Sequence, residues 1–434
     1  MNVPHQPLID KIKSIPKLIF SDDFEITIQE SDSSSITFIN GERSGRHNEE
    51  SVWINLRLQH QKRPGRASTL YYGDQSLSDL VEAAFEAAKH STPDPWFRFP
   101  IWRGQLKEST PGITEAEVPE SFYSKLVWRP ERLEERVENW SLKTSLYRKT
   151  EKQVLKTDIS GQTVKYAAVQ RVGDLAVKMS SIRSAPSGRM ESERCLEELL
   201  RSIYYRQGGN VFSRCEKSHV LFGAQPVGEI LRAIGPWFAA DRVQQGTSPL
   251  CGRQGEAFAS PIVDIYDDPH HERSAWKASV DLEGSSTQRT KLVEKGASVG
   301  LLYDVYTATR ENRLSSGNLM RRGGVHFSEI LPWHLRLSEG ASTNEEMLSQ
   351  MGDGLFIDYC SRLEEVPLHP HLFIFHGMGW RVKQSAPEEP VWYIRFQVDL
   401  FDLMRRVGSV GKTPVFFGNV ATPSILVENL PLEK

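Results

Sequence analysis

The chain has 434 residues, of which 39% are hydrophobic and 25% are charged, and its formal net charge is −3. This composition is typical of a folded globular protein, and the length indicates two or three domains rather than one. A nearly neutral charge does not favour a nucleic-acid partner, which usually requires a basic excess. The sequence contains no run of 18 or more apolar residues, so it predicts no membrane-spanning helix and no membrane partner.

The first residues lack the apolar core and the small-residue cleavage site of a secretory signal. The cysteines are widely separated and form no C-x-x-C pair; they are Cys195, Cys215, Cys251 and Cys360. This spacing argues against a disulfide framework and against a cysteine-rich zinc site. We therefore expect a cytoplasmic protein with reduced thiols.

The first segment, residues 1–105, predicts several strands followed by one helix. Apolar and polar residues alternate in four short runs, which predict strands at 24–29, 35–40, 51–58 and 66–71. Apolar residues then recur at helical spacing from Leu77 to Ala88, and Ser76 with Asp79 is a candidate N-terminal cap. The pattern predicts an α+β domain.

The second segment, residues 106–215, predicts a helix near its start, because Leu133, Val137 and Trp140 are spaced to share one helical face. Strand-like runs follow, and a further helix is predicted after them. These strand runs cover 153–159, 163–172 and 174–184, and the further helix covers 191–205.

The third segment, residues 216–434, begins with a short strand and an apolar helix at 226–242, and then becomes rich in strands and glycine. Within it, Thr343 or Ser342 is a candidate helix cap, with two glutamates in the first turn and Gly352 at the end. Another short helix is predicted at 400–407, and a last strand at 423–427.

Histidines are candidate metal ligands, because a helix holds zinc when two of them share one face. His271 is followed by a glutamate, but no second ligand comes four or five residues later. His369 and His371 would share a face if they lay in a strand, and His376 follows five residues on. We favour a turn before a buried strand at 372–375, because no third ligand is evident.

Paired carboxylates could act as acid and base in a cleft, and Asp267 with Asp268 and Asp281 with Glu283 are the candidates. An Asp-Asp-Pro sequence also forms a turn by bonding to its own backbone, and we favour this structural role. The sequence has no G-x-S-x-G elbow and no glycine-rich phosphate loop, so it predicts neither a serine-hydrolase triad nor nucleotide chemistry.

Several short motifs occur in an order and spacing that resemble the TldD/PmbA (TldE) family, whose members are also called modulators of DNA gyrase. The motifs lie at residues 65–68, 94–95, 246–248, 267–269, 281–284, 287–290, 316–318 and 352–354. The resemblance implies an α+β fold with large antiparallel sheets and flanking helices, divided among the three segments above. It also implies that Asp267, Asp268, Asp281, Glu283, Gly284 and Asn318 are peptide-binding or framework residues.

In the catalytic branch of that family, a His-Glu-x-x-x-His helix holds zinc. The resemblance places Leu231, Arg232 and Pro236 at the three motif positions of this chain, and the C-terminal cysteine of the catalytic branch is also missing. The chain therefore resembles the TldE/PmbA branch, and we expect it to bind no zinc and to be inactive alone. Zinc is expected in a TldD-like partner.

The family resemblance also implies an assembly. A TldE-like subunit forms a heterodimer with a TldD-like catalytic subunit around a closed chamber, and a homodimer is the other possibility. The substrates are unfolded peptides that lie as an added strand on a sheet edge.

Two other functions remain open from the sequence alone. The chain could be a divergent metallopeptidase that uses His369, His371 and His376 as a rebuilt metal site. It could also be a regulatory binding protein of the gyrase-modulator type, although the nearly neutral charge gives that function little support.

Overall fold

The computed structural model describes residues 5–99, 131–172, 175–185, 210–211, 217–271, 278–321 and 328–432. Within these residues the protein is a mixed α+β structure in which most strand pairs are antiparallel and helices flank the sheets. The predicted fold class is therefore confirmed. Among the helices of these ranges, none is long and apolar enough to cross a membrane.

The helices are short, apart from one that covers the first sheet. Their bounds are α1 His5–Lys13, α2 Pro16–Ile19, α3 Asp74–His90, α4 Ala224–Ile234, α5 Ala240–Gln244, α6 Val305–Arg310, α7 Asn344–Met351 and α8 Leu400–Arg405. A single 3₁₀ turn, Gly235–Phe238, connects α4 to α5. The predicted helix at 226–242 is thus interrupted near Pro236, which cannot donate a backbone hydrogen bond.

The first sheet contains strands from both of the first two predicted segments. Its strands are β1 Asp23–Ile39, β2 Glu42–His60, β3 Arg63–Leu70, β4 Arg132–Arg148, β5 Val154–Val172 and β6 Leu175–Ala185. The order is β3-β2-β1-β4-β5-β6, and every neighbouring pair is antiparallel. The predicted boundaries at 105/106 and 215/216 lie outside the described residues and stay predictions.

Helices α1 and α3 cover one face of the first sheet and form a hydrophobic core with it. The side chains of Ile26, Ile54 and Leu56 are fully buried there. The predicted strands and helix of this segment are confirmed, with 24–29 and 35–40 joined in the single strand β1. The predicted cap is wrong: α3 begins after Gly73, whose φ of 140° suits glycine, and Ser76 Oγ instead donates to the Gly73 carbonyl.

The helix predicted around Leu133 is also wrong, because these residues form β4. Leu133, Glu135 and Val137 are all buried, at alternating positions of the strand. The carboxylate of Glu135 accepts a hydrogen bond from the buried Tyr166 hydroxyl at 3.2 Å. The other helix of that segment, predicted at 191–205, lies outside the described residues.

The C-terminal segment contains two larger sheets and one pair of short strands. One of these larger sheets has the order β11-β10-β9-β14-β20-β19. Its strands are β9 Ile265–Asp267, β10 Thr290–Glu294, β11 Ala297–Ser298, β14 Leu335–Leu337, β19 Val415–Phe417 and β20 Val420–Thr422. The short pair is β12 Leu319–Arg321 with β13 Ser328–Ile330.

The other large sheet has the order β18-β21-β8-β15-β16-β17-β7. Its strands are β7 Asn210–Val211, β8 Lys217–Phe222, β15 Gly354–Val366, β16 His369–Lys383, β17 Ala386–Asp399, β18 Val407–Val410 and β21 Ile425–Pro431. The predicted last strand corresponds to β21, and the predicted helix at 400–407 corresponds to α8.

Helix α4 lies between these two sheets and joins their cores. Its apolar side chains, among them Ile230 and Leu231, are buried with Phe222 of β8 and Ile357 of β15. On another side, a Cβ placed on Gly228 would lie 3.6 Å from the Phe417 ring of β19. Helix α4 is therefore packed against both sheets.

The capping prediction for α7 is confirmed. Thr343 Oγ accepts from the Glu346 backbone N–H at 3.1 Å, and the Glu346 carboxylate accepts from the Thr343 N–H at 2.7 Å. This reciprocal capping box fixes the point at which α7 begins.

Candidate functional site

A cavity of about 530 Å³ lies at the N-terminal end of α4. The first turns of α4 and α7 form part of its wall, together with β15 and the segments before β19 and β21. Among its lining residues are Gly223, Gln225, Thr343, Asp358, Lys412 and Ser424. This volume is in the range of small-ligand sites.

Gln225, in the first turn of α4, binds the backbone of β15 rather than facing a ligand. Its Oε1 accepts from the Cys360 N–H at 2.8 Å, and its Nε2 donates to the Cys360 carbonyl at 3.2 Å. The two bonds hold β15 beside irregularities in its pairing with β16. Cys360 is buried, and burial, aided by the nearby Glu229 charge, raises the pKa of its thiol well above the usual value. A protonated, buried thiol is a poor nucleophile and a poor metal ligand.

Farther along α4, the charged side chains bind each other and the neighbouring sheet. Arg232 Nη1 pairs with the Glu229 carboxylate, and Arg232 Nη2 donates to the Phe417 carbonyl at 2.6 Å. Leu231 is 0% exposed and belongs to the hydrophobic core, and Pro236 lies in the 3₁₀ turn. The assignment of Leu231, Arg232 and Pro236 to the zinc-motif positions stays a prediction.

The three histidines proposed as an alternative metal site lie in β16, but they do not converge. His369 and His371 have ring centroids 6.4 Å apart, and His371 Nε2 is 4.0 Å from Asp399. His376 instead approaches Glu364, with 3.8 Å between the nearest atoms. The predicted turn before a buried strand at 372–375 is also wrong, because His369 is already the first residue of β16.

The face on which each histidine lies follows from the alternation along β16. Phe373 and Phe375 are buried, whereas Ile374 and His376 are only partly buried. His376 therefore lies on the opposite face of the strand from His371. No group of three or more His, Cys, Asp or Glu side chains able to hold a metal is found in the part of the chain that the structure describes.

Asp267 and Asn318 fasten three segments of the C-terminal structure to one another. Both residues are 0% exposed. Asp267 accepts from Asn318 Nδ2 at 2.6 Å and from the His334 N–H at 2.7 Å, while Asn318 also accepts from Ser316 Oγ at 2.7 Å. Burial raises the pKa of Asp267 to about 6, although these donors lower it.

Asp281 closes a buried turn. One carboxylate oxygen accepts from the backbone N–H groups of Glu283 and Ser285, both at 2.9 Å, and the other accepts from the Leu319 N–H at 3.1 Å. Gly284 has a φ of 75°, which suits glycine in this turn. Burial, and then the Glu283 charge, raise the pKa of Asp281 well above its usual value.

Glu283 connects the C-terminal segment to the first sheet. Its Oε1 accepts from Arg57 Nη1 at 2.6 Å, and its Oε2 accepts from the Val305 N–H at the start of α6 at 2.9 Å. Arg148 Nη2 donates to the Glu283 carbonyl at 3.0 Å and also pairs with Glu25.

The side chains of Glu25, Arg57, Arg148 and Glu283 form a network that we call the buried charge network. Their exposed fractions are 1%, 16%, 1% and 4%, and the two carboxylates balance the two guanidinium groups. Burial opposes the charge on Arg57, but Glu25 and Glu283 raise its pKa above the usual range. Glu25, Arg57 and Arg148 are not among the residues predicted from the sequence, although Glu25 pairs in register with both arginines.

Asp268 lies nearer the surface than the other three acids. Its Oδ2 is 3.6 Å from Arg289 and 3.6 Å from Arg336. Each predicted acid thus has bonding partners within the fold, and the structure does not bring the four carboxylates together into one catalytic group. The peptide-binding or framework role of Asp267, Asp268, Asp281, Glu283, Gly284 and Asn318 stays a prediction.

His334 is not among the residues predicted from the sequence, since no ligand spacing surrounds it. It is 0% exposed, and neither ring nitrogen has a hydrogen-bond partner among the described residues. The ring stacks with His271 at 6.1 Å and with Phe416 at 5.9 Å between centroids. Burial, reinforced by His271, lowers the pKa of His334 to about 4.

Comparison with known proteins decides the family. Residues 216–434 match the family model described as the PmbA/TldA metallopeptidase C-terminal domain. This chain belongs to the PmbA/TldD metallopeptidase family. The predicted resemblance is therefore confirmed, and the matched range includes α4, the cavity and all the predicted site residues.

Individual relatives of this PmbA/TldD family member differ in how much of the chain they cover. Metalloprotease PmbA of Escherichia coli O157:H7 is 20% identical over 441 aligned positions, which cover 95% of this chain and 92% of PmbA. A metalloprotease of Methanothermobacter thermautotrophicus is 29% identical over 184 residues, or 42% of this chain and 40% of that protein. The Methanothermobacter protein and two further curated relatives are matched over only 26% to 40% of their own lengths.

Two solved structures share the fold over nearly the whole chain. A protein of Thermotoga maritima described as a putative modulator of a DNA gyrase has a TM-score of 0.82 at 19% identity, and covers 99% of this chain and 100% of its own. TldE of Thermococcus kodakarensis has a TM-score of 0.78 at 19% identity, with the same coverage. At these identities the likeness establishes the fold alone.

Proposed function

We propose that this chain is a non-catalytic, TldE/PmbA-like subunit of a cytoplasmic two-chain metallopeptidase that cleaves unfolded peptides. The family membership and the fold shared with a TldE protein support this proposal. The observation that carries it is the chemistry of α4, which has neither histidine nor cysteine and whose Arg232 binds Glu229 and the Phe417 carbonyl.

The residues of α4 do not fit a zinc ion. Zinc in proteins is bound by thiolate, imidazole and carboxylate groups. A guanidinium offers only donors and stays charged, so Arg232 would repel the cation. The Gln225 side-chain oxygen already accepts a hydrogen bond from the Cys360 backbone N–H, and the Glu229 carboxylate is paired with Arg232. We therefore place the catalytic zinc in a TldD-like partner, and we assign this chain the role of completing the chamber.

The test combines this chain with a partner that carries the His-Glu-x-x-x-His motif. Cleavage of a quenched fluorogenic unfolded peptide should require both chains, and native mass spectrometry should show a heterodimer. Elemental analysis should find zinc in the partner and none in stoichiometric amount in this chain. Replacing the partner's motif histidines with alanine is the control, and it should abolish cleavage without dissociating the complex.

A partner that is fully active by itself would overturn the proposal. One zinc ion per isolated chain, lost on His371→Ala, would instead favour the divergent metallopeptidase. The present geometry does not favour that alternative, because His376 lies on the other face of β16 from His371. No contact described above favours the gyrase-modulator alternative.

A further inference from the structure

We propose that a second cavity, between the first sheet and the C-terminal segment, binds a small zwitterion, namely a dipeptide or a free amino acid. The proposal goes beyond the subunit role, because this ligand would bind the isolated chain without a partner and without cleavage. The second cavity has a volume of about 520 Å³, in the range of small-ligand sites. It shares no described lining residue with the cavity at the start of α4.

The second cavity has two walls of different origin. Strands β1, β2 and β3 form one wall, and α5, α6 and the β12–β13 pair form the other. Glu25, Arg57 and Glu283 of the buried charge network also line it, but their charges are already paired. The groups available to a ligand are therefore those outside the buried charge network.

Helix α5 presents two acceptors that lack a donor. Asp241 and Gln244 are three residues apart and share one face of the helix, and Asp241 Oδ1 and Gln244 Oε1 are buried without a hydrogen-bond partner among the described residues. Gln244 Nε2 donates to the Thr307 carbonyl and to the Glu311 carboxylate, both at 2.9 Å. Two acceptors there require the nitrogen on that side, so the oxygen is the unpaired atom. A buried acceptor without a donor is unfavourable, and an ammonium group brings three donors.

The sheet wall presents donors instead. Arg66 of β3 lines the cavity and forms no ion pair with a described residue; its guanidinium lies 5.8 Å from the Phe97 ring. Asn55 of β2 accepts from Ser68 Oγ at 2.7 Å, while its Nδ2 is buried without a partner among the described residues. A guanidinium and an amide N–H are groups that bind a carboxylate.

The balance of charge favours a ligand that carries both signs. Outside the buried charge network, the charged residues among the described lining are Asp241, Asp304, Arg66 and Arg310, two of each sign. Asp304 also caps α6, accepting from the Thr307 N–H at 2.8 Å. A simple cation would be repelled by the two arginines, and a simple anion by the two aspartates. A zwitterion can place each charge near its opposite and adds no net charge.

The remaining lining indicates an apolar side chain on the ligand. Its apolar residues come from both walls, and they are Leu56, Ala67, Leu282, Leu319 and Ile330. In the proposed complex the ligand ammonium binds Asp241 and Gln244, and the ligand carboxylate binds Arg66 and Asn55. The apolar side chain contacts the leucines and isoleucine. The dipeptide Ala-Leu has all three features.

The test measures binding of Ala-Leu to the isolated full chain by titration calorimetry, with N-acetyl-Ala-Leu and Ala-Leu-amide as ligands that each lack one charge. Ala-Leu should bind about ten-fold tighter than either blocked form, as expected for the loss of one charged hydrogen bond. Asp241→Asn should weaken Ala-Leu about ten-fold without weakening N-acetyl-Ala-Leu. Arg66→Gln should weaken Ala-Leu without weakening Ala-Leu-amide. Arg242→Gln, at an exposed neighbour that does not line the cavity, is the control and should change none of the affinities.

Equal affinity for Ala-Leu and both blocked forms would overturn the inference, as would wild-type binding of Ala-Leu by Asp241→Asn. No detectable binding of either Ala-Leu or free leucine would also overturn it. Free leucine distinguishes the two sources: binding at least as tight as that of Ala-Leu identifies an amino-acid site, and weaker binding identifies a dipeptide site.

The proposed function is tested separately. A chain that binds no zwitterion but activates its partner refutes only this inference, and a chain that binds Ala-Leu but activates no partner refutes only the subunit role.

Discussion

Replacing His334 with phenylalanine should stabilise the protein increasingly as the pH falls. The imidazole is fully buried, stacks with His271 and Phe416, and has no hydrogen-bond partner for either ring nitrogen among the described residues. Burial therefore penalises the protonated ring in the folded state, and the pKa of His334 falls to about 4 from its usual 6.5. Phenylalanine keeps the flat ring and removes the titration.

The size of the effect follows from proton linkage. Because the folded-state pKa is lowered, the unfolded chain binds the proton more readily, and stability is lost as the pH falls from about 6.5 to about 4. At pH 5 the linkage costs the folded wild-type protein about 2 kcal/mol relative to pH 8. The stability gained by His334→Phe should therefore be about 2 kcal/mol larger at pH 5 than at pH 8.

Two other contributions cancel in this comparison. A larger ring changes the packing energy by up to about 1–3 kcal/mol, but that change does not depend on pH. Asp267 titrates with the opposite sign: its raised pKa of about 6 means that stability is lost as the pH rises from about 4 to about 6. Because Asp267 is present in both proteins, its contribution disappears from the difference.

The measurement is urea unfolding at pH 8 and at pH 5, followed by tryptophan fluorescence, for wild type and His334→Phe. His90→Phe is the control, since its side chain is 85% exposed and should give no comparable pH-dependent difference. If His334→Phe changes the free energy of unfolding by the same amount at both pH values, burial does not hold the wild-type ring neutral and the prediction is wrong.

Two further changes test the framework of the fold. Glu283→Ala should lower the free energy of unfolding by about 3–5 kcal/mol, because it leaves Arg57 buried without one of its partners. Glu294→Ala, which removes an exposed pair with Lys291, is the control and should leave the midpoint of the same urea titration nearly unchanged. Thr343→Ala should cost about 1 kcal/mol by removing the cap of α7, and a thermal midpoint equal to that of wild type would contradict the capping role.

Much of the first sheet could be predicted because its core face alternates cleanly. The error at β4 has a specific cause. Glu135 occupies an inward position between Leu133 and Val137 and is 1% exposed, so the apolar alternation is broken by a charge that the Tyr166 hydroxyl satisfies. Without Glu135, the remaining apolar residues have helical spacing, and the sequence then favours the wrong element. One hydrogen-bond donor to this buried acid, Tyr166, is 31 residues away.

The candidate site was predictable only in part, for a similar reason. The acids from Asp267 to Glu283 were found because they lie in short motifs, but their bonding partners come from distant segments. Arg57 reaches Glu283 from the first sheet, and Ser424, just before β21, lines the cavity at the start of α4. Such contacts depend on the packing of sheets, which local spacing does not encode.

The pairing of β1 with β4 has a practical consequence for any attempt to divide the chain. A fragment ending at residue 105 would keep β1 but lose β4, which pairs with it from Glu25 to Ile39. Most of a 17-residue strand would then become an open edge, available to the edge of another copy. Domain-swapped dimers or aggregates are the expected products of such a truncation, and a usable N-terminal fragment must extend at least through β6.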